Sequence, residues 1–376
     1  MNNAIERAGK PNEIGVSAKV VNEFLTDAKK MGYEFHSLMV IRHGKVAVEW
    51  YNEPYNKDTP QSVYSVSKSF TSTAIGFAIS EGLISLDTKL LDIFPDYPPK
   101  KADARFDKLT VRNLLRMSSG KHPSFLSDKS KIDWVEDFMN SPWVFEPGEK
   151  FLYINENIFM LSAIINRVTG MSMREYLRPR LFEPLEIDFP LWETDRNGVE
   201  AGGWGLYLKT EDIAKLTLCY QQKGKFNGVQ VIPEEWAIEA TKKQIGNEYN
   251  RPGTDSSFGY GYCFWKNSID EDSFRADGMF SQFGIGIPQY DATVVVTSAV
   301  TDETGCLEYL FKYFPRAFEE VDEEETTVEN TTVEPLFKSD RTEMENIIRD
   351  RYIKFRKKLL LNLTGFQVSV LPMAVT

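Results

Sequence analysis

The N-terminal third of the chain changes its apolar rhythm twice. Val20, Val21, Phe24, Leu25 and Ala28 repeat at helical spacing, so residues 17–31 are predicted to form an amphipathic helix. "SLMVIRHGKVAVEWY" then holds two β-branched apolar runs around His43-Gly44, where glycine supplies the backbone angles of a tight hairpin turn. "VYSVSKSFTSTAIGFAISEG" reads as a largely apolar helix closed by Gly82. From about Leu83 to Phe189 the pattern is mainly helical. "LTVRNLLRMSSG" is a short helix stopping at Gly120, "SDKSKIDWVEDFMNSPW" one that ends before Pro142, and "NIFMLSAIINRVTG" one capped by Gly170.

Beyond Ala201 the rhythm changes again. "TEDIAKLTLCYQQKG" is predicted as a helix with Thr210 as N-cap and Gly224 past its end, and Pro233 opens another helix. "FGYGYCFWKN", "SFRADG", "QFGIGIP" and "ATVVVTSAV" then read as strands. This order predicts an α+β fold, with an antiparallel β-sheet flanked by helices and an inserted all-helical region. Residues 1–82 and 201–315 are assigned to the sheet domain and 83–200 to the helical one. Residues 316–376 are assigned to an acidic linker and a C-terminal helix and strand.

Charge separates that last segment from the body. Eight acids and no Lys or Arg lie between Glu319 and Glu334, and taking them from the net charge of −11 leaves −3. A nearly neutral body predicts no nucleic-acid partner. No apolar run approaches the roughly 18 residues of a membrane span. "MNNAIERAGKPNEIG" lacks the apolar core of a signal peptide. Cys219, Cys263 and Cys306 have no metal-like spacing and are expected to be buried small hydrophobes. A cytoplasmic location and no metal are expected. Oligomeric state is not legible.

The candidate chemistry begins at Ser65 and Lys68. A serine nucleophile needs a base, an oxyanion site and a proton donor for the leaving group. His36, His43 and His122 are the histidines of the chain; none sits in a nucleophile elbow, and no G-x-S-x-G occurs. If Ser65 starts the helix, it shares a face with Lys68, with Cβ atoms about 5–6 Å apart. Lys68 could act as base if its charge were suppressed by burial. Equally, Ser65 could cap the helix and Lys68 snorkel to the surface. Downstream, "PGEKFLYINENI" places Tyr153 and Asn155 just before a helix, where packing and capping would be their ordinary roles.

"YSVSKSF", "LTVRNLLRMSSG", "PGEKFLYINENI" and "GGWGLYLKTEDIAKL" occur in this order, with 88 residues from Ser65 to Tyr153. Over roughly residues 18–315 the chain resembles the serine β-lactamase and penicillin-recognising superfamily, in its class C and esterase-like branch. There S-x-x-K is the first motif and Y-x-N the second. The resemblance implies an acyl-enzyme hydrolase without cofactor, in which Ser65 attacks, Lys68 and Tyr153 move protons, and Asn155 orients Lys68 or the substrate. By position, Gly278 lets its strand approach the substrate and the Met279 N–H is an oxyanion donor. Trp204, after Gly202-Gly203, borders the cleft by resemblance, or simply packs at a domain junction. Asp212 reads as a first-turn helix acid.

The third motif departs from the family's K-T-G or H-x-G. Here it is Ala276-Asp277-Gly278, with Arg275 adjacent. In β-lactamases and penicillin-binding proteins the cation helps bind a substrate carboxylate. Its loss turns the expectation toward small esters or amides, as in nylon-oligomer hydrolases. The alternatives are a penicillin-binding, D-Ala peptidase or β-lactamase activity, and a non-enzymatic interaction protein that retains the fold.

Overall fold

A computed structural model describes residues 4–123, 133–320 and 327–328 of the 376, all within one compact unit, Met1–Thr332. Most of the acidic segment, and all of the predicted C-terminal helix and strand, lie outside the described residues. The architecture is α+β. Its centre is a six-stranded sheet in the order β2-β1-β6-β5-β4-β3, every pairing antiparallel. The strands are β1 (Phe35–Arg42), β2 (Lys45–Tyr51), β3 (Trp265–Lys266), β4 (Phe274–Gly278), β5 (Gln282–Ile287) and β6 (Ala292–Ser298). First and last strands thus share one sheet: β1 pairs with β6 from Arg42 opposite Ala292 to Phe35 opposite Ser298.

Both faces of the sheet are covered, which explains why β1 (but for Arg42) and β6 are buried along their length instead of alternating. Leu38, Val40, Val48, Phe283, Ile285, Val294 and Val296 pack on one face against α1 (Ala18–Met31) and the helix Glu303–Glu319. Met39, Ile41, Ala276 and Val295 turn to the other face and join the larger core. That core includes α2 (Ser67–Ser80), α3 (Val111–Leu115), α4 (Trp134–Asn140), α5 (Asn155–Thr169) and α6 (Thr210–Gln221). The last described helix, α7 (Glu303–Glu319), has no counterpart in the sequence expectations. Pro315 lies inside it, and the expected domain division at 315 falls within it.

Several local expectations follow the chemistry that suggested them. Ser17 Oγ accepts from Val20 N at 3.2 Å to cap α1, and Gly32 closes it in the left-handed region. His43 and Gly44 make the hairpin turn with φ of 51° and 74°. Two differ. The N-cap of α6 is Lys209, not Thr210; Asp212 Oδ2 accepts from Lys209 N, while Thr210 Oγ1 bonds Ser37 Oγ inside the core. "FGYGYCFWKN" is a strand only at Trp265–Lys266, because Cys263 adopts φ 66° and breaks the extended run.

α2 runs through the middle of the protein, and every residue from Ser67 to Ala78 is buried. Its hydroxyls tolerate this because each has a partner: Ser69 Oγ donates to Cys263 O, Ser72 Oγ to Tyr262 O and Thr71 Oγ1 to Gly202 O. Gly76 is required by the packing, since a Cβ there would stand 2.3 Å from the Trp236 ring.

Candidate active site

Ser65 sits in a 3-10 turn, Tyr64–Val66, that leads directly into α2. Tyr64 holds φ 47°, an uncommon conformation for a bulky side chain, and its carbonyl accepts from Ser67 Oγ at 2.5 Å. Ser65 does not cap the helix; no side-chain cap exists at this end. It is partly exposed, as is Tyr153. Lys68 does not snorkel: it is 1% exposed.

One turn into α2, Lys68 reaches back to Ser65. Its Nζ lies 2.8 Å from Ser65 Oγ, 2.8 Å from Asn155 Oδ1 and 2.7 Å from Gly203 O. Three acceptors match the three hydrogens of an ammonium. Burial nevertheless lowers its pKa to about 7; Cys263, Asp277 and Glu156 oppose the shift without cancelling it. The Tyr153 phenol is acted on by Ser65, and its ring centroid lies 4.9 Å from Lys68 Nζ. Burial raises the phenol well above its ordinary range, so it stays protonated at neutral pH. Its ring is set by Trp265, Tyr260 and Phe151, with centroids 5.3, 6.1 and 6.4 Å away.

Asn155 is the first residue of α5, and Tyr153 lies in the extended segment just ahead of it. The contact between α2 and α5 therefore carries both groups to Ser65 across nearly ninety residues of chain. Gly203 O had no place among the expected site groups. Its signal was the Gly202-Gly203 doublet: Gly202 takes φ 69°, and a Cβ on it would meet Ile158 O at 2.9 Å. That close approach lets the chain lay the next carbonyl on Lys68.

β4 closes the other side. A Cβ at Gly278 would stand 2.4 Å from Val63 O, so the end of β4 lies against the residues just before Ser65 only because position 278 is glycine. The following turn is rigid. Phe280 and Ser281 hold φ of 62° and 63°; Gln282 Nε2 donates to Met279 O, Phe280 O and Ser298 O; and Glu303 Oε1 accepts from Phe280 N at 3.1 Å. Met279 opens this turn and is partly exposed. Trp204 is partly exposed too, 5.6 Å from the Trp134 ring, and its carbonyl accepts from Trp192 Nε1.

Arg275 does not replace the missing cation. Its side chain is fully buried, its Nε donates to Asp277 Oδ2 at 2.7 Å, and its Nη1 is held by Lys266 O and Asn267 Oδ1. The histidines are engaged elsewhere: His36 Nδ1 with Gln61 Oε1, His43 with Asp291, His122 with Pro123 O. Among the described residues no group of His, Cys, Asp and Glu could hold a metal, and no helix is long and apolar enough to cross a membrane. The three cysteines are free and buried. Asp212 is a capping acid at the start of α6, raised by burial to about 6.

Comparison with known proteins assigns the class. The Beta-lactamase family model matches residues 29–311, and the chain belongs to that family. It is 29% identical to the Beta-lactamase of Escherichia coli (strain K12) over 138 residues, 36% of either chain, so it spans little more than a third of that relative. It is 22% identical to the 6-aminohexanoate-dimer hydrolase of Paenarthrobacter ureafaciens over 289 residues, 71% of this chain and 73% of the other. Among solved structures, EstCE1, a hydrolase with promiscuous acyltransferase activity, superposes with a TM-score of 0.67 at 17% identity, over 80% of this chain and 98% of that one. At that identity the likeness is one of fold.

Proposed function

We propose that the protein is a serine hydrolase that cleaves small esters or amides through an acyl-enzyme on Ser65. The observation that carries this is the buried Lys68 Nζ, 2.8 Å from Ser65 Oγ and with a pKa of about 7. Near neutrality a large fraction of the amine is uncharged. Two of its N–H bonds can stay on Asn155 Oδ1 and Gly203 O, which turns the lone pair toward Ser65. Lys68 then takes the Ser65 proton as Oγ attacks the acyl carbon.

The oxyanion that forms is placed between the N–H groups of Ser65 and Met279, next to the positive end of α2. Tyr153, kept as a phenol by burial, donates its proton to the departing alcohol or amine. The proton held by Lys68 then passes to the Tyr153 phenolate and restores the phenol. Water then attacks the acyl-enzyme, with the same groups returning its proton to Ser65. No proton is gained or lost over the cycle.

Replacing the family's cation by Ala276, with Asp277 beside it, favours substrates without a carboxylate at this position and weighs against β-lactam and D-Ala peptide substrates. The reading is tested with a fluorophosphonate probe and p-nitrophenyl esters of graded chain length. The adduct is expected on the Ser65 peptide, and Ser65→Ala should abolish both labelling and turnover. Tyr153→Phe should slow acylation by about 10²- to 10⁴-fold. Labelling at another residue, or full turnover in Ser65→Ala, would overturn it.

A further inference from the structure

Two bulky residues next to the reacting groups hold left-handed backbone angles. Tyr64, directly before Ser65, has φ 47°, and Phe280, directly after Met279, has φ 62°. Neither is glycine or asparagine, so each conformation costs free energy that the surrounding structure must offset. Their rings meet, with centroids 5.2 Å apart and an interplanar angle of 66°. The pair thus joins the turn that carries the Ser65 N–H to the turn that carries the Met279 N–H.

The backbone is pinned on both sides of Met279. Ahead of it, Gly278 pairs with Gln282 at the end of β4 and packs against Val63 O. Behind it, the Met279–Phe280 peptide is held at both ends: Gln282 Nε2 donates to Met279 O at 3.3 Å, and Phe280 N donates to Glu303 Oε1 at 3.1 Å. A peptide unit is planar, so fixing its carbonyl and its N–H fixes its tilt. Ser298 Oγ, from the end of β6, lies 2.6 Å from Phe280 O and 3.0 Å from Ser281 O and holds the far side of the turn. With both neighbouring peptides fixed, the Met279 N–H keeps one direction. Glu303 opens α7, so its carboxyl ties that helix to the turn. Burial and then Asp277 push it up to about 7, with Arg251, Phe280 N and Arg275 opposing. In either form it offers Phe280 N an acceptor oxygen.

We propose that Glu303 and the Tyr64–Phe280 ring pair are positioning residues of the oxyanion site. Glu303 aims the Met279 N–H, and the rings set its spacing from the Ser65 N–H. This rests on Ser65 being the nucleophile, and it names what aligns the two donors of that same site. Both devices act through a backbone N–H, so their removal costs transition-state stabilisation more than substrate binding.

The test compares p-nitrophenyl butyrate with its thiono analogue, in which sulfur replaces the carbonyl oxygen. Sulfur is a weak hydrogen-bond acceptor, so the oxo-to-thiono ratio of kcat/KM, taken against the same ratio for hydroxide, reports on the oxyanion donors. The wild type should prefer the oxo ester by about 10²-fold or more beyond hydroxide. Glu303→Leu should lower kcat on the oxo ester by about 10- to 100-fold, keep KM within about threefold, and lower the ratio by about tenfold or more. Glu303→Gln, which keeps an acceptor oxygen, should recover most of both losses. Phe280→Gly removes the ring while glycine takes φ 62° freely, and it should lower the ratio in the same direction. It decides the matter if Glu303→Leu does not fold.

Fluorophosphonate labelling separates this from the acyl-enzyme reading. With Ser65 labelled, an unchanged ratio in Glu303→Leu or Phe280→Gly overturns the positioning role and leaves the nucleophile standing. So does a Glu303→Gln variant as impaired as Glu303→Leu. Absent labelling at Ser65 in the wild type overturns both.

Discussion

Of the lysines buried among the described residues, the two least exposed differ in what surrounds them. Lys68 and Lys121 are each 1% exposed, and burial lowers each to a pKa of about 7. Lys68 points its amine at a hydroxyl, an amide oxygen and a carbonyl contributed by three separate segments. Lys121 donates only to backbone carbonyls, Met139 O in the last turn of α4 and Ser141 O just past it. Its amine lies over the rings of Trp143, Phe106 and Phe138, at 3.9, 4.4 and 5.9 Å from their centroids. It thus satisfies carbonyls left open at a helix end and stacks as a cation on aromatic faces. A depressed pKa is therefore no sign of catalysis by itself. What separates the two is an acidic partner that can give up a proton in a cleft open to solvent.

The largest contrast is expected in activity. Lys68→Met should lower kcat/KM by about 10³-fold or more, since it removes the base and leaves Ser65 with no proton acceptor in reach. Lys121→Met should leave kcat/KM on p-nitrophenyl esters within about threefold of wild type. A comparable loss in both variants would erase the distinction.

The pH dependence sharpens it further. The base form of Lys68 is the neutral one, so kcat/KM should climb as pH rises through about 7 and fall away in acid. Lys121→Met should keep that limb in place. A limb that moves in Lys121→Met, or stays unmoved when Asp277→Asn removes a charge acting on Lys68, would contradict the assignment.

Stability gives the smallest contrast, with the opposite order. Lys121→Ala removes a side chain packed among three aromatics and leaves two carbonyls without a donor, a loss of about 2–5 kcal/mol in denaturant unfolding. Lys68→Met removes the cost of burying an amine and should leave the protein as stable at pH 7, or more so. The sign follows from linkage. Both lysines have a folded pKa below their ordinary 10.5, so stability is greater above about 10.5 and declines as pH falls toward 7. Either Met variant should flatten that part of the profile.

Much of this was legible in local pattern. The periodicity of Val20 to Ala28, the His43-Gly44 turn and Gly170 at the end of α5 are short-range features, written within a few residues. The S-x-x-K pair is also short-range, because one helical turn sets its distance. Where local pattern misled, a non-local contact intervened. Thr210 is drawn into the core by Ser37, so Lys209 caps α6 instead. Cys263 turns left-handed where Ser69 bonds its carbonyl, so the apolar run before Trp265 is not a strand. α7 carries an apolar face that repeats from Cys306 to Phe318, but Pro315 and the acids that follow masked it.

The sequence by itself determined that Ser65 and Lys68 lie one helical turn apart, that Tyr153 stands just ahead of a helix and Asn155 at its start, and that Ala276-Asp277-Gly278 lacks a cation. Only the tertiary structure decided that Lys68 is buried with its amine on Ser65 instead of snorkelling to the surface. Lys68 and Lys121 both lie in serine-containing stretches, and nothing local separates their fates. Packing α2 against α5 and the Gly202-Gly203 turn buries one amine beside a hydroxyl; packing α4 over Trp143 buries the other among rings. Desolvation and hydrogen-bond partners depend on which atoms fill the surrounding volume, and those atoms arrive from chain segments far apart in sequence.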